Sequence, residues 1–278
     1  MRFLLVSALL AIASPAAAVP VAVIPFTDNG KLPSLAVRVG GSQPLPFVLD
    51  SGASRSVIDA QTARRLGLQR TGVYLGTGAG AGRVPFDVYR DVALSAGAAR
   101  WTAPTAWGIA LGSAGTTLPE AGLVGSDFFF RFVVDVDYAA HRITVYDPRT
   151  YHHTGPGTAL PIAFHKRLAT IPATLAVPGR APQRRTLTID TGSEDELDDA
   201  LVATTTGPKR YAGSTGLGRS APLVIAPVDW IAIGPYRLRN ITGASGRVPI
   251  VGSGLLRRFH VTFDYAHRRL YLQPYAAR

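Results

Sequence analysis

Two acidic residues hold positions from which they could do chemistry together. Asp50 lies in PFVLDSGAS (Pro46 to Ser54) and Asp190 in LTIDTGSE (Leu187 to Glu194). In each stretch an apolar, β-favouring run ends in Asp, a small hydroxyl residue and glycine. Gly52 and Gly192 allow a tight turn and close backbone approach, because no Cβ intervenes. Ser51 and Thr191 can hydrogen-bond locally and hold those turns, with Ser193 extending the second one. One Asp-Thr-Gly is a weak signal. Two copies in a duplicated fold are a strong one, since a pseudo-twofold axis would bring both turns to one site. Carboxyls at hydrogen-bonding distance share one proton and titrate as a unit. The ionised partner can take a proton from water as it attacks a carbonyl, and the protonated partner can donate to the carbonyl oxygen. This chemistry calls for no metal, thiol, serine nucleophile or cofactor.

Duplication is legible in the chain itself. At an offset of 140, Asp50 meets Asp190, Gly52 meets Gly192, Asp59 meets Asp199 and Gly67 meets Gly207. A second pair follows at an offset of 127: LVGSDFFFRFVVDVDYAAHRITVYDP (Leu123 to Pro148) and IVGSGLLRRFHVTFDYAHRRLYLQP (Ile250 to Pro274). Asp59 and Asp199 read as N-caps of short helices that Gly67 and Gly207 would close. Strands are expected at Val21 to Phe26, Leu35 to Val39, Phe132 to Val136, Ile143 to Tyr146, Leu187 to Ile189 and Leu270 to Leu272. Helices are few: Asp59 to Leu66, part of Asp198 to Thr205, and a turn after each Val-Gly-Ser. The expected fold is all-β with few short helices, two-lobed and pseudo-twofold, with a cleft between lobes. PRTYHHTGPGTALP is turn-rich, so the lobes are expected at 19–150 and 151–278.

Glycine-dense stretches lie between the blocks. Tyr74, Gly76, Thr77 and Gly78 begin one that runs to Gly82, and its spacing is not that of a dinucleotide-binding loop. A hairpin tip fits better. Gly213 to Gly218 is the equivalent in the second half, read with equal weight as a second flap or a passive turn. The acidic run Glu194-Asp195-Glu196 is read first as a helix start, with Ser193 and Glu196 forming a capping box. Tuning of the carboxyl pair, or selection of basic substrates, is its sharper reading. Asp137 and Asp264 are expected to be hairpin-turn residues, and His152 and His153 to be solvated. The six histidines show no metal-ligand spacing, so no metal is expected.

Composition narrows the classes. The 278 residues are 47% hydrophobic and 17% charged, which excludes a disordered chain. The formal charge is +11, yet the basic residues are scattered and form no stripe for nucleic acid. The absence of cysteine removes disulfides and thiol chemistry together. Arg2, the apolar Phe3 to Ala13 and Ala16-Ala17-Ala18 read as a signal peptide over residues 1–18. Its apolar run is too short for a spanning helix, so no stable membrane anchor is expected. The mature chain would be exported to the periplasm or the medium, with no sizeable inhibitory propeptide.

DSGAS and DTGS resemble the two active-site signatures of the pepsin-like and retropepsin-like aspartic peptidases. LVGSDFFFRF and IVGSGLLRRF resemble that superfamily's hydrophobic-hydrophobic-Gly strand, which threads beside the catalytic loop. The pattern is most similar to bacterial, signal-bearing members with compact retropepsin-like halves, over essentially the whole mature chain. The resemblance implies an aspartic endopeptidase acting on a peptide or protein substrate, working as a monomer. It implies Asp50 and Asp190 as the catalytic pair, Ser51 and Thr191 as braces, and Tyr74 as a flap tyrosine. A catalytically inactive peptide-binding protein of the same fold is the first alternative. A glycosidase is the second, requiring carboxyls about 5–9.5 Å apart.

Overall fold

The computed structural model describes residues 18–78, 80–112, 121–214 and 216–276. The expected signal peptide lies outside these residues except for Ala18. The chain is mostly β, with short helices at Ala60–Arg65, Ser126–Arg131 and Ser253–Leu256 and a 3-10 turn at Ala200–Thr204. Its strands form one sheet of 13 and another of 10, giving two bodies.

Each body repeats one motif. In the first, Leu45–Leu49 runs antiparallel to Leu32–Val39 and parallel to Gly122–Val124, so that Leu49 faces Val124. In the second, Gln183–Asp190 runs antiparallel to Leu168–Ala176 and parallel to Ile250–Gly252, so that Asp190 faces Gly252. Phe47, Val48, Leu49, Leu187 and Ile189 are fully buried. A parallel strand beside them is therefore expected to read as a continuous apolar run, as Leu123-Val124 and Ile250-Val251 do.

A shared base joins the bodies. Val133–Asp137 pairs antiparallel with Phe259–Asp264, matching Val136 to Val261, Asp135 to Thr262 and Val134 to Phe263. These are the duplicated Phe-Val-Val and Phe-His-Val strands, so the two copies meet each other at the centre of the molecule. Phe129 packs edge-on to Phe263 and stacked on Tyr265, linking both halves into one apolar core. Asp137 accepts from the amides of Ala139 and Ala140, and Asp264 from that of His267, at the two hairpin turns expected of them.

Local expectations at the helices divide. Asp59 caps Ala60–Arg65, accepting from the amides of Gln61 and Thr62, and Gly67 follows at φ +68°. Asp199 likewise accepts from the amide of Leu201, but the turn it caps is 3-10 and Gly207 is not left-handed. The capping box at Ser193 and Glu196 does not form. Leu197–Asp198 is instead a strand, parallel to Ile241–Ala244 and antiparallel to Ile250–Gly252. Glu196 is drawn off to the Arg258 guanidinium and the amide of Thr242. Pairing with a cation and a strand amide outcompetes a local cap. His153 is also not solvated: it stacks on Tyr271 at 3.8 Å, and the Tyr151 hydroxyl meets its Nδ1 at 3.0 Å.

Candidate active site

The two signature turns meet between the bodies through four reciprocal hydrogen bonds. The Ser51 amide donates to Thr191 Oγ1 at 3.0 Å, and the Thr191 amide to Ser51 Oγ at 3.0 Å. Each hydroxyl then donates across the axis, Ser51 to the Ile189 carbonyl and Thr191 to the Leu49 carbonyl, both at 2.7 Å. All four bonds are buried, and Ser51 and Thr191 have no exposed surface. Serine in place of threonine loses only a methyl, and both hydroxyls brace.

Close approach of the aspartates depends on glycine. A Cβ on Gly52 would overlap the Asp190 carboxyl group, and one on Gly192 would overlap that of Asp50. Asp50 and Asp190 are hydrogen-bonded through their side chains. Burial raises the affinity of both for protons. The Asp190 charge and hydrogen bond push Asp50 further up, whereas the Gly192 amide, 2.8 Å from Asp190 Oδ1, and the bond from Asp50 pull Asp190 back. The pair therefore holds one proton and titrates as a unit. Contact of this kind leaves no room for the carboxyl separation of about 5–9.5 Å that a glycosidase uses.

The distal blocks hold these turns from behind. A Cβ on Gly125 would overlap the backbone of Arg55, and one on Gly252 that of Asp195. Ser126 Oγ donates to the Ser54 carbonyl at 2.6 Å, and Ser253 Oγ to the Thr191 carbonyl at 2.8 Å. These two serines were visible as duplicated Val-Gly-Ser, but only the fold shows what they grip. The Ser193 carbonyl accepts from the Ser253 amide at 2.8 Å, so Ser193 belongs to this support.

Both halves carry a hairpin over the site. Arg70–Gly76 pairs with Val84–Ala96, and Arg210–Gly213 with Pro222–Val228. Ala79 and Thr215, at their tips, lie outside the described residues. The tips pair with each other: the Gly80 and Ala81 amides donate to the carbonyls of Leu217 and Arg219, and the Arg219 amide returns a bond to Ala81. A side chain on Gly78 would overlap Leu217. The second hairpin is therefore joined to the first at its tip. Leu217 packs onto the apolar cluster of Val48, Val57, Phe86 and Ile109 in the opposite body. Tyr74 stands on the rising flap strand, stacked on Trp107 at 5.2 Å and 9°, Gly76 fits between its ring and Phe86, and Thr77 is exposed.

The family model described as aspartyl protease matches residues 35–128. Over this stretch, about a third of the chain, the protein is similar to that family. The stretch holds Asp50, Ser51, Gly52, the first flap and Gly125, while Asp190 and Thr191 join it through the chain's own repeat. Aspartyl proteases are peptide hydrolases, and their substrate class is peptide. No curated protein matches the chain.

The acidic run beside the Asp190 turn is spread over three environments. Glu194 lies against Gly30, Asp195 faces Lys31 and Asp198, and Asp199 is fully buried in a bidentate pair with Arg185 at 2.6 and 2.7 Å. Burial and the Asp195 charge, with a smaller push from Asp190, raise Asp198 to about 7. Tyr265, also raised by burial and then by Asp190 and Asp50, is a further neighbour of the pair that its type alone did not disclose. Among the described residues no cluster of His, Cys, Asp or Glu could hold a metal, and no helix is long and apolar enough to cross a membrane.

Proposed function

We propose that the protein is an aspartic endopeptidase in which Asp50 and Asp190 activate water against an extended peptide. The observation that carries this reading is the reciprocal Ser51–Thr191 bracing, which holds two carboxyls in hydrogen-bonding contact at the floor of a flap-covered cleft. The ionised carboxyl of the pair takes a proton from the attacking water. The protonated carboxyl donates its proton to the carbonyl oxygen as the carbon becomes tetrahedral, so the pair still holds one proton in the intermediate. Collapse of the intermediate expels the amine, which takes the proton that one carboxyl received from water, while a hydroxyl of the intermediate returns its proton to the other carboxyl as the C=O bond re-forms. Flap tips that bond to each other must part to admit the chain and can then close over it, excluding water.

Both carboxyls come from one chain, which supports action as a monomer. Residues 1–18 have the pattern of an export signal, and a core that needs no disulfide suits either periplasm or medium.

Digestion of a peptide library across pH, with wild type, Asp50→Asn and Asp190→Asn in parallel, tests the proposal. Internal cleavage by wild type alone, blocked by a hydroxyethylene-type peptide mimic, is expected. Tight binding of the mimic without cleavage by any form would refute the enzyme and favour a peptide-binding protein.

A further inference from the structure

The fold's own symmetry exposes a difference between the two ends of the cleft. The residues that follow Asp190-Thr191-Gly192 are Ser193, Glu194 and Asp195, whereas those that follow Asp50-Ser51-Gly52 are Ala53, Ser54 and Arg55. A hairpin tip from the opposite body faces each turn. Lys31, at the Asn29–Leu32 turn, faces Asp195. Arg167, at the His165–Leu168 turn, bonds to the carbonyl of Ser54, the residue before Arg55, and feels the Arg55 charge. At one end a cation meets carboxylates, and at the other it meets a second cation.

Among the described residues no carboxylate pairs with a cation at that second end. Arg167 is partly buried, its Nε donating to the Ser54 carbonyl at 3.2 Å and to Ser126 Oγ at 3.1 Å, with its guanidinium over the Phe130 ring. The Arg55 guanidinium lies over Trp107, the ring on which flap residue Tyr74 stacks, so it sits between the signature turn and the first flap. Asp127 is the carboxylate that acts on Arg167 from behind, but both its oxygens are taken by Ser56 and by Trp101 Nε1. Among the described residues neither arginine forms an ion pair, whereas Arg185, Arg257 and Arg258, similarly shielded, each have one. Burial and Arg55 both lower the proton affinity of Arg167, and the Asp127 charge offsets them only in part.

We propose that Arg55 and Arg167 form a carboxylate-binding subsite at one end of the cleft, selecting an acidic side chain or a free C-terminal carboxylate on one side of the scissile bond. A carboxylate there would supply the missing counter-charge, and guanidinium groups suit it because they bind it in paired hydrogen bonds. At the opposite end Glu194 and Asp195 would repel the same group, so selection is directional. The inference rests on the peptidase reading above and deepens it.

The test uses matched peptides carrying Glu or Gln at successive positions on each side of the cut, plus a pair ending in carboxylate or amide. Wild type should show kcat/KM at least about tenfold higher for Glu than Gln on one side only, as expected for one charge-assisted contact. A preference seen with the terminal pair instead assigns the subsite to the chain end. Arg55→Gln should erase the ratio, Arg55→Lys should restore part of it, and added salt should weaken it. Equal ratios on both sides, no ratio in wild type, or a ratio that survives Arg55→Gln would overturn the subsite. Failure of wild type to cut any peptide would instead strike the peptidase reading itself.

Discussion

Replacing Thr191 by valine removes one hydroxyl and almost no volume, which isolates the bracing from packing. Its Oγ1 both accepts from the Ser51 amide at 3.0 Å and donates to the Leu49 carbonyl at 2.7 Å, in a region without solvent. The variant leaves a buried donor and a buried acceptor unpaired, each costing about 1–3 kcal/mol. The expected loss is therefore about 2–6 kcal/mol, a large share of a typical total of about 5–15 kcal/mol. Thr191→Ser keeps both bonds and loses one methyl, which costs roughly 1 kcal/mol. Urea unfolding should show the valine midpoint falling by on the order of 1 M and the serine midpoint by much less. Peptide hydrolysis should fall more steeply than stability in the valine variant, since the same bonds align the carboxyls. A double-mutant cycle with Ser51→Ala should be non-additive, because the two hydroxyls share one network. Equal stability of the valine and serine variants would refute the bracing account.

Three further outcomes follow from the same geometry. Gly78→Ala places a methyl against Leu217 and should part the flap tips, seen as faster hydrogen exchange at the Gly80, Ala81 and Arg219 amides with the core unchanged; unchanged exchange would count against tip pairing. Asp198 is held above its unfolded pKa of about 3.9, so its contribution is present below that pH and lost as pH rises through about 7. Asp198→Asn should therefore gain stability over wild type progressively from about pH 4 to 7 and level off beyond, a pattern that a pH-independent difference would contradict. His260, raised mainly by its hydrogen bond to Asp135 at 2.7 Å, ties the two central base strands together. Its contribution is full below about pH 6.5 and lost as pH rises through the higher folded value, so His260→Gln should be destabilising in acid and near-neutral in alkali, by thermal unfolding across pH.

The sequence by itself determined the carboxylates, the hydroxyls beside them and the duplication that pairs them. Those depend on residue types at fixed offsets, and an alternation of apolar residues followed by Asp-Ser/Thr-Gly survives being read in one dimension. Asp59 and Asp199 were legible as caps for the same reason, since a cap acts within a few residues. Tertiary structure alone decided what crosses between halves. Glu196 abandoned its local cap because Arg258, far along the chain, offered a charge. The second hairpin became a flap because its tip bonds to the first across the cleft. Arg55 and Arg167 acquired meaning only when folding set two cations near each other with no ion pair among the described residues. Electrostatic and hydrogen-bonding energies depend on distance in space, and a linear sequence encodes that distance only where the contact is local or repeated.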